Sequence, residues 1–447
     1  MTASSNSSTV GDRPRRAFCS HQPKWQRFQP TLLKPESKTA QQNDKESYQY
    51  QRQYSHVYSQ RLTALRGRCW KRFESLNPTA NYARINRVLE LHEDVPSRIV
   101  GTLVKETNDR SETPIHGDCR PSDQLFLEDE SGRVALKVDH VHQYCTGVVV
   151  GIQGKVDKIG TLHVEELVLP AAPPQPSLGD KAVMLSSNVP GADGSANGKP
   201  HLLLVSSLLC GDPNVPSLPR EMLLAYLQGQ FTKDSAKICR VLVVGGVAAQ
   251  IQDVLHGVKE FDAFCLQLTK AGIPIDVMPG KRDPTTANWP QRPLHSSLLP
   301  NATAIVHRTP NPYAANLGSN HVLATDGTNI EDLQQHSLTL QADGTASPST
   351  ELEALQRTLE WSHICPTGPD SVPTVPHMDQ DPMVLDQLPH LYVCGNASKF
   401  ATATTKSSDG SKTTCVCIPQ FSITGEAVLV NLETMGVELL RFEEQDA

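Results

Sequence analysis

The hydrophobic pattern changes period twice along the chain, and those changes constrain the fold more than any single residue does. Between about Val95 and Pro170 apolar and polar residues alternate, the period of a strand with one buried face. Ser97–Lys105, Gln124–Glu128, Val134–Val138, Gly147–Lys155 and Thr161–Leu169 are β-rich runs parted by turn residues such as Glu130-Ser-Gly132. Five short strands over residues 94–171, one with glycines that let it bend, predict a small closed β-barrel of the OB type. After Pro200 the strands become continuously apolar and alternate with helices. His201–Leu209, Cys239–Val244 and Ile273–Met278 are buried strands, with helices expected over Leu218–Phe231 and Val258–Ala271. Such strands belong to a sheet covered on both faces. Further strands at Ala304–Val306, Val322–Ala324, Leu391–Cys394, Cys415–Ile418, Ala427–Leu432 and Gly436–Leu440 make 201–447 a two-sheet α/β sandwich or layered fold.

The remaining segments frame these two. Residues 1–44 are rich in Ser, Gln, Lys, Pro and Arg and bury too little surface to offset the cost of ordering, so a disordered tail is expected. Residues 45–93 carry helical spacing: Tyr50, Tyr54, Val57, Tyr58, Arg61, Leu62 and Leu65 form one stripe, and Ile85, Val88, Leu89 and Leu91 a second over Asn81–Leu91. Residues 172–200 read as a linker of low hydrophobicity.

Composition narrows function. The 41 basic and 48 acidic side chains are interspersed and leave a net charge of −7, which gives no footprint for non-specific binding to nucleic acid or anionic membrane. No apolar run reaches the roughly 18 residues of a membrane span, and Met1–Arg16 lacks a signal h-region, so an intracellular protein is expected. The 11 cysteines include no C-x-x-C pair, which favours reduced core thiols over a zinc site or disulfides.

The strand ends of the last segment carry the chemistry that is missing. Leu391–Phe400 (LYVCGNASKF) is an apolar strand entering a Gly-Asn turn, the place where an α/β enzyme presents its reactive groups. It is the last of five such junctions, after Val205–Gly211, Val243–Gly246, Pro279–Asp283 and His363–Asp370. Their order resembles the D-x-H, G-D, G-N-H-D/E, H and G-H-x-H motifs of calcineurin-like metallophosphoesterases, which hold two cations that activate water and clamp a phosphate. Residue by residue the ligands are gone. Ser207 and Leu209 stand for the first aspartate and histidine, Gly246 for the bridging aspartate, Lys281 and Arg282 for Asn-His, and Asn396 and Ser398 for the last two histidines. Asp283 and His363 alone keep a ligand type, and two divalent ions need more donors than that. Lys281 and Arg282 would add repulsion of the same sign.

A barrel preceding a phosphoesterase-like sandwich with erased ligands is similar to the B-type regulatory subunits of eukaryotic replicative DNA polymerases. Arg52–Arg61, Val100–Leu103, Leu125–Glu130, Pro274–Gly280, Asp283-Pro284, Pro293–His295, Asn311–Tyr313, His363–Asp370 and Val393–Asn396 with Phe400 carry that resemblance, over Ser47 to Leu432. It implies a non-catalytic scaffold in the nucleus with no metal or nucleotide cofactor of its own. The implied partners are the cysteine-rich C-terminal domain of a polymerase catalytic subunit and a third subunit with a clamp-binding motif. A translesion polymerase catalytic subunit sharing the same chain and indirect contact with DNA complete the set. Trp289 and Tyr313, read as exposed, and Phe400 are the candidate partner contacts. Two competitors follow from the residues: a rearranged metal site of Asp212, Asp276, Asp283, His321 and His363, and a single-strand-binding barrel. For the latter only Phe126 stands as an aromatic on a strand, where stacking needs several.

Overall fold

The computed structural model describes residues 31–32, 54–76, 81–176, 200–231, 235, 237–248, 254–269, 271–302, 306–341, 344–377, 379–407 and 409–443. The rest of the 1–44 tail, Tyr50 and most of the 172–200 linker lie outside them. Within the tail, Thr31–Leu32 (β1) forms a two-residue strand. No described helix is long and apolar enough to cross a membrane.

Helix α1, Ser55–Leu76, buries Val57, Arg61, Leu62, Leu65, Cys69, Trp70 and Phe73, the one-sided stripe of an amphipathic helix. It seats on the barrel through Val100, Val149 and Val168. The close approach depends on Gly151, where a Cβ would fall 2.5 Å from Phe73 Cε2 and 2.7 Å from Val168 Cγ2.

The second expected helix does not form. Ala83–Arg84 is a short strand (β2) and Val88–Glu90 a single 3₁₀ turn. Backbone donors a helix would use go elsewhere: Val88 N–H donates to Asp129 Oδ2 at 2.8 Å and Leu89 N–H to Ser131 Oγ at 3.2 Å. Leu89, placed on the apolar stripe, is 74% exposed.

The barrel strands are β3 (Ser97–Thr107), β4 (Asp123–Glu128), β5 (Arg133–Lys137), β6 (Val149–Val156) and β7 (Thr161–Val168). They run in the order β3-β4-β5-β7-β6, and a β3–β6 pairing closes the ring. Ile99, Leu103, Leu125, Leu127, Leu136, Val150, Ile152 and Leu162 fill the interior.

Beyond the linker come β8 (His201–Val205), α2 (Leu218–Leu227), β9 (Ile238–Val244), α3 (Val254–Thr269), β10 (Ile275–Met278) and β11 (Val306–Arg308). A hairpin of β12 (Tyr313–Leu317) and β13 (Asn320–Thr325) leads to α4 (Thr328–His336), the small pair β14 (Leu338–Leu340) and β15 (Ala346–Pro348), and α5 (Glu351–Glu360). The chain ends in β16 (Leu391–Ala397), β17 (Ala401–Lys406), β18 (Lys412–Pro419), the one-turn α6 (Phe421–Thr424), β19 (Glu426–Asn431) and β20 (Val437–Arg441). Two six-stranded sheets result, β11-β10-β9-β8-β19-β20 and β1-β12-β13-β16-β18-β17.

Leu204, Val244, Met278, Val322, Val393, Val416 and Val428 pack between the two sheets. The outer face of the first sheet is covered by α2 and α3 through Leu223, Leu227, Phe261 and Leu268. On the second sheet, α4 and α5 join the barrel in one continuous core that includes Leu355, Trp361, Tyr392 and Cys415. Barrel and sandwich therefore share a hydrophobic interior.

Trp289 and Tyr313 are corrected by this packing. Trp289 is 1% exposed and Tyr313 0%, each seated inside the protein, and neither is a surface contact. Phe400 is half-buried and packs on the core between the sheets.

Candidate functional site

The chain turns sharply where β8, β9, β10 and β16 end. Strand β8 stops at Val205, four residues short of the expected Leu209, because Ser207 and Leu209 take positive φ of 53° and 43°. Asn396 follows suit at 54°, and Gly245 and Gly246 sit at 70° and 67°. Non-glycine residues in the left-handed region cluster at functional sites and persist only where their surroundings enforce them.

These turns bring together Ser207, Leu209, Gly246, Asp283 and Asn396, and they interlock through protein groups. Asn396 Nδ2 donates to Asp326 O at 2.7 Å, its N–H donates to Ser206 Oγ at 2.9 Å, and the Ser207 hydroxyl donates to its Oδ1. Asp283 accepts from the Gly246 and Gly280 amides through Oδ2 at 2.9 and 2.7 Å, and from Val247 through Oδ1 at 2.9 Å. Burial pushes its carboxyl up to about 6 against the pull of those amides. Asp326 does the same for the neighbouring turns: Oδ2 accepts from Lys281 N–H and the Thr328 hydroxyl, and Oδ1 from Asn311 Nδ2.

The family implied by the motifs would place two cations here, and the residues do not fit them. Both buried carboxylates already have their oxygens engaged by backbone and side-chain donors. The space is closed as well. A Cβ at Gly246, the bridging-ligand position, would lie 2.8 Å from Ser207 Cα and Oγ, and one at Gly327 only 2.2 Å from Gly395 O. Lys281, Arg282 and Ser398 are exposed at the rim. Lys281 Nζ pairs with Glu331 at 3.2 Å, and Ser398 N–H donates to Glu351 Oε1 at 2.9 Å.

The rearranged metal site fails on placement. Asp212 Oδ1 accepts from Asn214 N–H at 2.9 Å, the bond of a turn residue. Asp276 is 0% exposed and held by Arg240 at 2.5 Å and the Tyr313 hydroxyl at 2.8 Å. His321 sits at the opposite end of β13 from Asp326, roughly 16 Å away along a strand.

His363 belongs to a different construction. Its Nδ1 accepts from Cys365 N–H at 3.2 Å, which leaves the ring proton on Nε2 facing Asp381 Oδ2 at 2.9 Å. Burial, with Arg61 nearby, holds the imidazole down to about 4. Burial alone would raise Asp381, but His363 and Arg61 together keep it far below the usual carboxylate range. Arg61, from α1, donates to Asp381 at 2.8 Å and to three carbonyls: Gly147 at 3.1 Å, Pro366 at 2.8 Å and Gly368 at 2.7 Å. One guanidinium thus ties helix, barrel and sandwich together.

Sequence reasoning missed Ser206, Asn311, Asp326 and Asp381. Asp326-Gly327 at the end of the apolar run Val322–Ala324 was a usable signal, whereas Asp381 lies in a polar loop without pattern. The barrel's candidacy for single strands is weakened by geometry. OB barrels bind ligands on the face of their second and third strands and the loops beside it. Here the β3–β4 loop is occupied by α4: Asp118 N–H donates to Gln335 O at 2.8 Å, and Lys105 Nζ to His336 O at 2.7 Å.

Comparison with known proteins gives the family. The family model of the DNA polymerase delta subunit OB-fold domain matches residues 53–167, and that of the DNA polymerase alpha/epsilon B subunits matches 221–402. The class is that of non-catalytic accessory subunits of replicative DNA polymerases. The DNA polymerase delta small subunit of Oryza sativa is 32% identical over 89% of this chain and 94% of its own length. That of Arabidopsis thaliana is 33% identical over 90% and 93%, and that of Saccharomyces cerevisiae 29% over 88% and 90%. The chain belongs to the family of DNA polymerase delta small subunits. Among solved structures, TT1561 of Thermus thermophilus aligns at 12% identity over 55% of this chain and all of its own, with a TM-score of 0.27, too remote to support any argument.

Proposed function

We propose that the chain is a nuclear scaffold whose sandwich is a calcineurin-like phosphoesterase fold emptied of its ligands. It joins the cysteine-rich C-terminal domain of the polymerase delta catalytic subunit to a third, clamp-binding subunit. Residues 94–171 and 201–447 act as its two domains, and DNA is reached only through the partners. The catalytic subunit of a translesion polymerase is a further partner. The observation that supports this best is the closed strand-end site, where Asp283, Asp326 and Asn396 spend their polar atoms on the protein's own turns. What such a fold retains to offer is surface, and subunit interfaces draw on surface of large area.

Co-expression with the other polymerase delta subunits tests this. The chain is expected to co-purify stoichiometrically with the catalytic subunit and to be more soluble and more heat-stable in the complex than alone. Equal behaviour alone and with the partners, or failure to co-purify, sinks the reading.

A further inference from the structure

The second sheet has two edges, and they are treated differently. At one edge β1, a segment of the remote N-terminal tail, adds to β12 with Thr31 opposite Asn316 and Leu32 opposite Ala315. At the other edge, among the described residues, β17 pairs only with β18. With six residues it is the longest edge strand of either sheet among the described residues. In an antiparallel ladder alternate residues turn both backbone groups away from the partner, so about three residues of β17 present unpaired N–H and C=O groups outward. Its sequence, Ala-Thr-Ala-Thr-Thr-Lys, holds no proline, and the side chains alternate half-buried and exposed. That is an open template for another strand.

Two further observations say what kind of strand fits. A groove of about 430 Å³ opens at the C-terminal end of β17, lined by Thr405, Lys406 and Ser407 with Thr413 of β18, and walled by Arg72 and Leu76 of α1, Leu167–Ala172, Leu359 and Leu388. Among the described residues Glu360 is the one acidic group lining it, and Arg72 and Lys406 line it too. Lys406 also stands directly opposite Lys412 in the hairpin, both exposed, a like-charge pair that costs the hairpin stability. Lys399 adds a further exposed cation just before the strand.

We propose that β17 is a strand-addition site for an extended segment of a polymerase partner subunit. Alternate side chains of that segment are apolar and fill the groove, and acidic residues at its end meet Lys406, Lys412 and Arg72. Main-chain pairing supplies affinity and the groove supplies selectivity, as in other strand-addition modes. This rests on the accessory-subunit reading above.

Residue-resolved hydrogen exchange on the full chain, alone and within the co-purified polymerase delta complex, tests it. Alternate amides across Ala401–Lys406 are expected to slow at least tenfold in the complex while those between them stay as they were. The double variant Lys406→Glu/Lys412→Glu is expected to weaken partner binding at least tenfold without lowering the melting temperature of the chain alone. If the complex assembles and the β17 amides exchange as in the free chain, or slow without alternation, the edge is no docking strand and its lysines merely guard it against self-association. Failure of any complex to assemble is a different result and removes the scaffold reading instead.

Discussion

At the scale of single residues, Arg61 does the most. A guanidinium that is 1% exposed survives only because its donors are matched by Asp381 and three carbonyls. Removing one partner of a buried ion pair strands the other, typically at about 3–5 kcal/mol. Arg61→Ala is therefore expected to lower unfolding free energy by about that amount in urea melts, and Arg61→Lys to recover only part of it, since an ammonium lacks the planar fork. A loss under about 1 kcal/mol for Arg61→Ala would show the hub to be dispensable. The sequence showed Arg61 only as a position on a helical stripe, because nothing local marks partners some 300 residues away.

His321 offers a second residue-scale test. Burial, with His390 beside it, lowers its imidazole to about 4, and its Nδ1 has no hydrogen-bond partner. A histidine depressed in the folded state binds its proton first in the unfolded chain, so the folded state loses stability as pH falls from about 6.5 toward 4. Asp283, raised to about 6 by burial, acts with the opposite sign between about 6 and its ordinary value. The test is accordingly a difference. Urea melts at pH 6.5 and 5 should show His321→Gln losing about 1 kcal/mol less stability on acidification than the unaltered chain. Identical losses would mean that His321 titrates normally.

At the scale of elements, the turns after β8, β9, β10 and β16 set what the strand ends are able to do. Gly246 has positive φ and no room for a side chain. Gly246→Asp, the change that would return a bridging carboxylate, should cost about 1–3 kcal/mol and bring neither bound manganese nor phosphodiester turnover. Stoichiometric metal in that variant, measured by elemental analysis, would overturn the closed-site account. The elements themselves were largely legible, since the buried strands and barrel strands declared their period. The misses have physical causes. Asn81–Leu91 kept helical spacing but gave its amides to Asp129 and Ser131, and Trp289 and Tyr313, in a proline-rich stretch, looked like loop aromatics while tertiary packing drew them inside. The strand β12 and the helices α4 and α5 lie in stretches whose apolar runs are short, and only the Thr350–Glu353 capping box marked where α5 begins.

At the scale of the molecule, barrel and sandwich share one core, and α1 bridges them. Partner binding to either should therefore stabilise both, and the complex is expected to unfold in a single transition above that of the free chain. Two separated calorimetric transitions in the free chain would show that the shared interior does not couple them. The arrangement also fixes an order of events during synthesis. Gly147 leaves the ribosome well before the other Arg61 partners, Pro366, Gly368 and Asp381. Until Asp381 emerges, the guanidinium has no carboxylate to enter the interior with, and α1 cannot finish seating on a barrel whose own strands are already complete. The nascent chain must carry that unfinished surface from residue 168 to residue 381, nearly half its length, and a message truncated between those points would yield a barrel with its helix unlatched.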